Sequence, residues 1–420
     1  MMQSIRRSGQ LALRNPRFVC PYANGSRRAF SLSYARFRGA LPSFLPPSSP
    51  ELSETLALFN SKVLLPLHLT KEQQDLVYSQ ESRAKLESEP IEITLGDVTL
   101  PLEHLDKNRL PDRRDTLVKI MSQSKTPEDW ENVLRCVEGF VEAGWQLTPR
   151  TKESIIRKMN NAGMHHIILK GLQRVKESGL SLRYWVVTRQ VLRGLHDKAA
   201  KSGWDKDETA KAMKMAKQVV ELMESSEHHG HIDVKSSSDK EETSRASERK
   251  EPSKPSTGDE RPSGWNGMDY RSDPEVIALP TELAAVMAER HGGDVEEVKT
   301  MCGRLVAAME QGKYMETLDN LSAASQREPK FKKATDQAAE VGKFIYRLLS
   351  QIMIWNALKT SRSVLGSDMP KADIAFGYEQ SAEAVITEAI ANLDQMMMRD
   401  GKKMNFAMEG YIRSALEQCK

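Results

Sequence analysis

Nucleophilic catalysis and metal binding both need cysteine, histidine or carboxylate side chains at short, patterned spacings, so those residues come first. The four cysteines, Cys20, Cys136, Cys302 and Cys419, are scattered without a C-x-x-C pair. That spacing points to neither a disulfide framework nor a cysteine zinc site. His228-His229-Gly230-His231 is a dense imidazole tract, but no cysteine or acidic cluster accompanies it. It reads as the exposed start of a linker, and His165-His166 as an exposed turn. There is no G-x-S-x-G, no phosphate-cradling glycine loop, no dinucleotide fingerprint and no H-E-x-x-H. The sequence therefore calls for no cofactor, no metal, no small-molecule substrate and no enzymatic activity. What remains is charge. Residues 151–200 hold ten Lys and Arg against Glu153, Glu177 and Asp197, a local +7. Lys152, Arg157, Lys158 and Arg189 belong to this set, whose chemistry suits phosphate contacts or an acidic protein surface.

That basic stretch stands out against a chain of 420 residues whose formal charge is only +3. The excess sits at the start, where residues 1–37 carry seven arginines and no acid. Ile5, Leu11 and Leu13 interleave with Arg6, Arg7 and Arg14, as a basic amphipathic presequence requires. Arg28-Ala29-Phe30-Ser31-Leu32-Ser33 resembles a two-step cleavage signal, with cuts after Ala29 and Phe37. The expected location is the mitochondrial matrix. Successive segments carry +7 (1–37), −4 (38–109), +5 (110–227), −3 (228–275) and −2 (276–420). The apolar run Leu348 to Leu358 has only eleven residues, interrupted by Ser350, Gln351 and Asn356, too short for a transmembrane segment.

The elements that must position the basic residues follow from periodicity. After a Pro/Ser-rich stretch at 43–50, Leu52 to Leu64 and Lys71 to Leu86 have helical spacing. Alternation in Ile91 to Leu95 and Val98 to Leu100, around Gly96-Asp97, predicts a β-hairpin over 91–100. It belongs to an N-terminal extension, 38–109. Helical spacing fills 110–227, whereas 228–275 is poor in core-forming residues and reads as a disordered linker. Helical signals resume at Pro280, and the segments 295–310, 314–325, 331–358, 380–398 and 405–418 make a second helical domain, 276–420. Met396-Met397-Met398, Met404 and Met408 read as core filler.

Within 110–227 lies an internal repeat. Gly144 and Gly179 are 35 residues apart, and Asn161-Ala162-Gly163 divides that interval into 19 and 16. Glycine just past a helix end accepts the left-handed backbone that closes the helix. The pattern is two unequal helices per unit, and the segment resembles the pentatricopeptide repeat, whose unit has this length and division. The resemblance covers one clear unit, about 149–183, with degenerate units on either side. It departs from the family where Leu147 and Leu182 replace a frequent proline. The resemblance implies that Glu153 with Arg183, and then Thr188, face RNA bases on the concave side. Glu153 with Arg183 is not a usual base-reading pair, so no target sequence follows.

The expected architecture is all-α: a helical-hairpin solenoid of pentatricopeptide or tetratricopeptide type, a small N-terminal β-hairpin and a second helical domain. By the resemblance, the expected role is a non-catalytic factor of mitochondrial gene expression and translation that binds RNA, associates with the mitochondrial ribosome, or both. The alternative is a protein-only scaffold or assembly factor for a respiratory-chain complex. Protein partners are expected under either reading. Sequencing of the protein purified from mitochondria should find its N-terminus at Arg38. A chain still beginning at Met1 contradicts the presequence.

Overall fold

The structure is a computed structural model and describes residues 39–88, 91–229, 270–327, 331, 333–399, 402–404 and 407–419; the expected presequence and most of the expected linker lie outside them. Pro50–Leu58 (α1) starts at Ser49, whose hydroxyl accepts from the Leu52 N–H, and runs through a π turn at Phe59–Leu64 into Leu65–His68 (α2). Lys71–Tyr78 (α3) opens with a capping box between Thr70 and Gln73, and Arg83–Ser88 (α4) follows. The expected hairpin is present as Glu92–Leu95 (β1) and Val98–Pro101 (β2), with Leu95 opposite Val98 and Gly96 at φ 66° in the turn. Ile91, Ile93, Leu95, Val98 and Leu100 pack on the helical core, which supplies what an isolated hairpin lacks.

Next come Arg113–Gln123 (α5), Pro127–Glu142 (α6), Pro149–Asn161 (α7), His165–Gln173 (α8), Val175–Ser178 (α9), Trp185–Lys201 (α10) and Lys206–Leu222 (α11). Gly144, Gly163, Gly179 and Gly203 all take positive φ, between 64° and 76°, at the helix ends where the spacing placed them. Helix α10 lies along both α7 and α11.

The N-terminal extension is held by α6. Leu45 N–H donates to Asn132 Oδ1 at 2.7 Å, and Asn132 Nδ2 donates back to Leu45 O at 2.9 Å. Asp129, fully buried, accepts from the Ser48 N–H and hydroxyl and from the Lys125 and Thr126 N–H groups. Burial alone would raise its pKa, but these donors outweigh that and pull it down to about 2. Phe140 of α6 then stacks between Phe59 at 5.0 Å and Trp145 at 4.5 Å.

Beyond the linker are Pro274–His291 (α12), Val295–Gln311 (α13), Tyr314–Ser325 (α14), Ala334–Leu365 (α15), Ala372–Met396 (α16) and Ala407–Gln418 (α17), with a two-residue ladder, Met398–Arg399 (β3) and Lys402–Lys403 (β4). Helix α12 begins six residues before Pro280, because Asp273 caps it and Pro274 already fills the first-turn position. Pro280 sits inside a helix packed against α11, α13 and α15. Helix α15 is 32 residues, or about 48 Å, and overruns its expected end by seven residues to Leu365.

Helix α12 is shared between two hydrophobic cores, and the described residues from 39 onward form one unit. Its Val276, Leu279, Leu283 and Val286 join the core of the first half, while Ala278, Ala284 and Ala285 join the core of the second. Such a helix, buried on all sides through its middle, has to be central. At its middle the fully buried Glu282 accepts from Asn356 Nδ2 of α15 at 2.5 Å and lies 2.9 Å from His196 Nδ1 of α10. Burial works against a charged His196, yet the Glu282 carboxylate outweighs it and raises the imidazole pKa. Trp204, held at φ 62°, stacks edge-on against His196 and donates its indole N–H to Gln418 O at 3.0 Å.

Two imidazoles differ from expectation. His228 is buried instead of opening a disordered linker: Leu182 N–H donates to its Nδ1 at 3.1 Å and its Nε2 lies 3.0 Å from Leu172 O. His165 is buried at the start of α8, and only His166 is exposed.

Asp129 makes the fold acid-sensitive. A carboxylate whose pKa is about 2 when folded and ordinary when unfolded stabilises above about pH 4, and that contribution disappears as pH falls through the folded value. Urea midpoints should show Asp129→Ala costing about 2 kcal/mol at pH 7 and about half that at pH 3. An equal cost at both pH values would contradict the assignment.

Candidate nucleic-acid interface

Three helix faces meet in a groove of about 360 Å³. Helix α7, started by Pro149 with Thr148 as N-cap, contributes Arg150, Glu153 and Arg157 at i, i+3 and i+7. Helix α10 contributes Val186, Arg189 and Gln190, and α15 the wall Ala338, Ala339, Gly342, Lys343, Tyr346 and Arg347. These spacings each place side chains on one helical face. Small residues on α15 keep that wall low, and a β-carbon added at Gly342 would meet nothing within 4 Å.

Five cationic side chains line the groove against one carboxylate, Glu153. Glu153 pairs with Arg157 at 3.4 Å; burial raises its pKa, opposed by Arg157, Arg189 and Arg193. Lys343 pairs with Glu340 at 2.9 Å. Among the described residues neither Arg150 nor Arg347 makes an ion pair. Arg189 lies 5.2 Å over the Tyr346 ring and Arg193 5.6 Å over the same ring, which orients both guanidinium groups. Behind them Glu275 accepts from the Ser350 hydroxyl at 2.8 Å; burial raises its pKa and Arg189 opposes that rise. The groove offers fixed guanidinium donors on two sides and an aromatic edge, a set suited to a phosphodiester backbone.

The structure brings together Glu153, Arg157 and Arg189 of the seven expected site residues. Lys152 is buried, with its ammonium 4.9 Å over the Tyr184 ring, and burial followed by the Arg183 charge lowers its pKa. It is no surface contact. Arg183 is exposed, with its guanidinium 5.5 Å from the Tyr184 ring centre. Thr188 is fully buried and its hydroxyl donates to Leu182 O at 2.6 Å, so it cannot face a base. Lys158 is half-buried and does not line the groove.

The local +7 is also largely met by acids from outside the counted window. Lys170 pairs with Glu131, Arg174 with Glu138, Lys176 with Glu227, and Lys198 with Glu208. The groove, in contrast, gathers Arg150, Lys343 and Arg347 from outside that window. Arg150 stands one residue before it, and α15 carries Lys343 and Arg347 at i, i+4 behind Ala338, Ala339 and Gly342, a pattern visible in the sequence.

The described fold and groove belong to a chain with known relatives. A family model described as mitochondrial ribosomal protein mS27 matches residues 28–412. The chain belongs to that family. The small ribosomal subunit protein mS27 of Neurospora crassa is 25% identical over 251 residues, which cover 59% of this chain and 57% of that relative. The mS27 match runs across α7, α10 and α15 alike, so every wall of the groove lies inside it.

The burial of Thr188 gives a direct test. Thr188→Val should lower stability by about 1 to 2 kcal/mol in urea unfolding, because Leu182 O loses its donor, and should leave RNA affinity unchanged. Unchanged stability with weakened RNA binding would return Thr188 to the surface.

Proposed function

We propose that the protein is a non-catalytic component of the small subunit of the mitochondrial ribosome, located in the matrix, and that its groove seats an RNA backbone. Family membership supports the ribosome over a respiratory-complex scaffold. That the Neurospora relative is a small ribosomal subunit protein supports the subunit. The observation that carries the RNA reading is the convergence of Arg150, Arg157, Arg189, Lys343 and Arg347 on one groove. Recognition is of phosphates rather than bases, because the base-facing position expected at Thr188 is buried. Affinity from so few contacts is modest, and flanking ribosomal proteins supply the rest.

Binding of the full-length chain to small-subunit ribosomal RNA fragments, followed by fluorescence anisotropy across a salt series, tests this. Arg189→Glu, Arg347→Glu and Gly342→Glu should each weaken binding about tenfold or more. Removing one phosphate contact should flatten the log-log salt slope by about 0.7 to 0.9. Lys152→Met should change neither. Affinity indifferent to the three groove variants would overturn the RNA reading, and binding of an acidic ribosomal protein at the same groove would replace it.

A further inference from the structure

We infer that His196, Glu282 and Cys419 form a binding site for a thiophilic divalent cation, zinc in the first instance, at the junction of α10, α12 and α17. A ring nitrogen of His196, a Glu282 carboxylate oxygen and the Cys419 Sγ lie within 4.8 Å of one another, and all three residues are buried. His196 and Glu282 come from α10 and α12 and Cys419 directly follows α17, and their donor set of imidazole, carboxylate and thiolate is one that zinc accepts. A thiolate excludes the cations that favour oxygen-only cages.

The surroundings fit an occupied site. Asn356 Nδ2 fixes one oxygen of Glu282 and leaves the other for the cation, the arrangement of an outer ligand that orients an inner one. Trp204 holds the imidazole edge-on at 5.6 Å. Lys359 Nζ donates to Cys419 O at 3.3 Å. A cavity of about 310 Å³, lined by Glu289, Arg290, Asn356, Lys359, Arg362 and Cys419 among others, adjoins the cluster at Cys419. Water and the cation would reach the cluster from that side. Tetrahedral bonds of about 2 Å would hold the nitrogen and oxygen ligands roughly 3.3 Å apart. The 2.9 Å between His196 and Glu282 has to open by a few tenths of an ångström.

The full-length chain, purified without a histidine tag and exchanged into cobalt, should show an intense thiolate-to-cobalt charge-transfer band and visible bands of a tetrahedral ion. About one equivalent of zinc should displace it. Cys419→Ser and His196→Gln should each abolish the charge-transfer band, while Cys136→Ser and Cys302→Ser keep it. The His228-His229-Gly230-His231 tract contains no cysteine and cannot produce that band. Peptide mass spectrometry of alkylated wild-type protein gives a readout that needs no variant: zinc should slow labelling of Cys419 at least fivefold. Absence of the thiolate band, its survival in Cys419→Ser, or alkylation of Cys419 indifferent to zinc would each overturn the site. RNA affinity is not the readout, so the result stands apart from that of the groove.

Discussion

A carboxylate buried as deeply as Glu282 has to be met by partners, and those partners determine how the chain is assembled. His196 reaches it from α10 and Asn356 from α15, so one side chain on α12 ties the repeat-like helices to the helices after the linker. Breaking such an arrangement from one side leaves a buried charge uncompensated, which costs far more than a surface ion pair contributes. Trp204 is held in a left-handed backbone conformation beside it, strain of about 1 to 2 kcal/mol that the surrounding contacts must offset. His291 Nε2 lies 2.8 Å from Trp204 O and the indole reaches Gln418, so the strained residue itself joins α12 to α17.

The groove is a consequence of this joint. Its walls are α7 and α10 on one side and α15 on the other, and none of them alone is concave. Holding α15 against α12, which in turn packs on α10 and α11, brings Arg347 and Tyr346 opposite Arg189. Electrostatics then does the selection. Lys170, Arg174, Lys176 and Lys198 are met by acids distant in sequence, whereas in the groove cations from both halves outnumber the single Glu153.

Much of the local structure was legible in the sequence. Glycines 35 residues apart marked helix ends because left-handed closure favours glycine, and Gly144, Gly163, Gly179 and Gly203 do close helices that way. The hairpin around Gly96 followed from alternation. What was not legible was pairing across long separations. Charge counted in a window of sequence cannot include Glu131 or Glu208, and it credits Lys152 with an exposure that Tyr184 denies it. The buried state of His228 likewise depends on Leu172 and Leu182, more than forty residues away. The sharing of α12 between two cores was hidden for a similar reason: its amphipathic period, interrupted by Pro280 and Glu282, gave no sign that it serves both.

The proposed RNA backbone in the groove is tested by a cryo-electron microscopy map of native small mitochondrial ribosomal subunits containing this protein. Phosphodiester density should run between α7 and α15, with phosphates in contact with Arg189 and Arg347. A groove filled by a protein segment, or facing solvent while RNA lies on another surface, would contradict it.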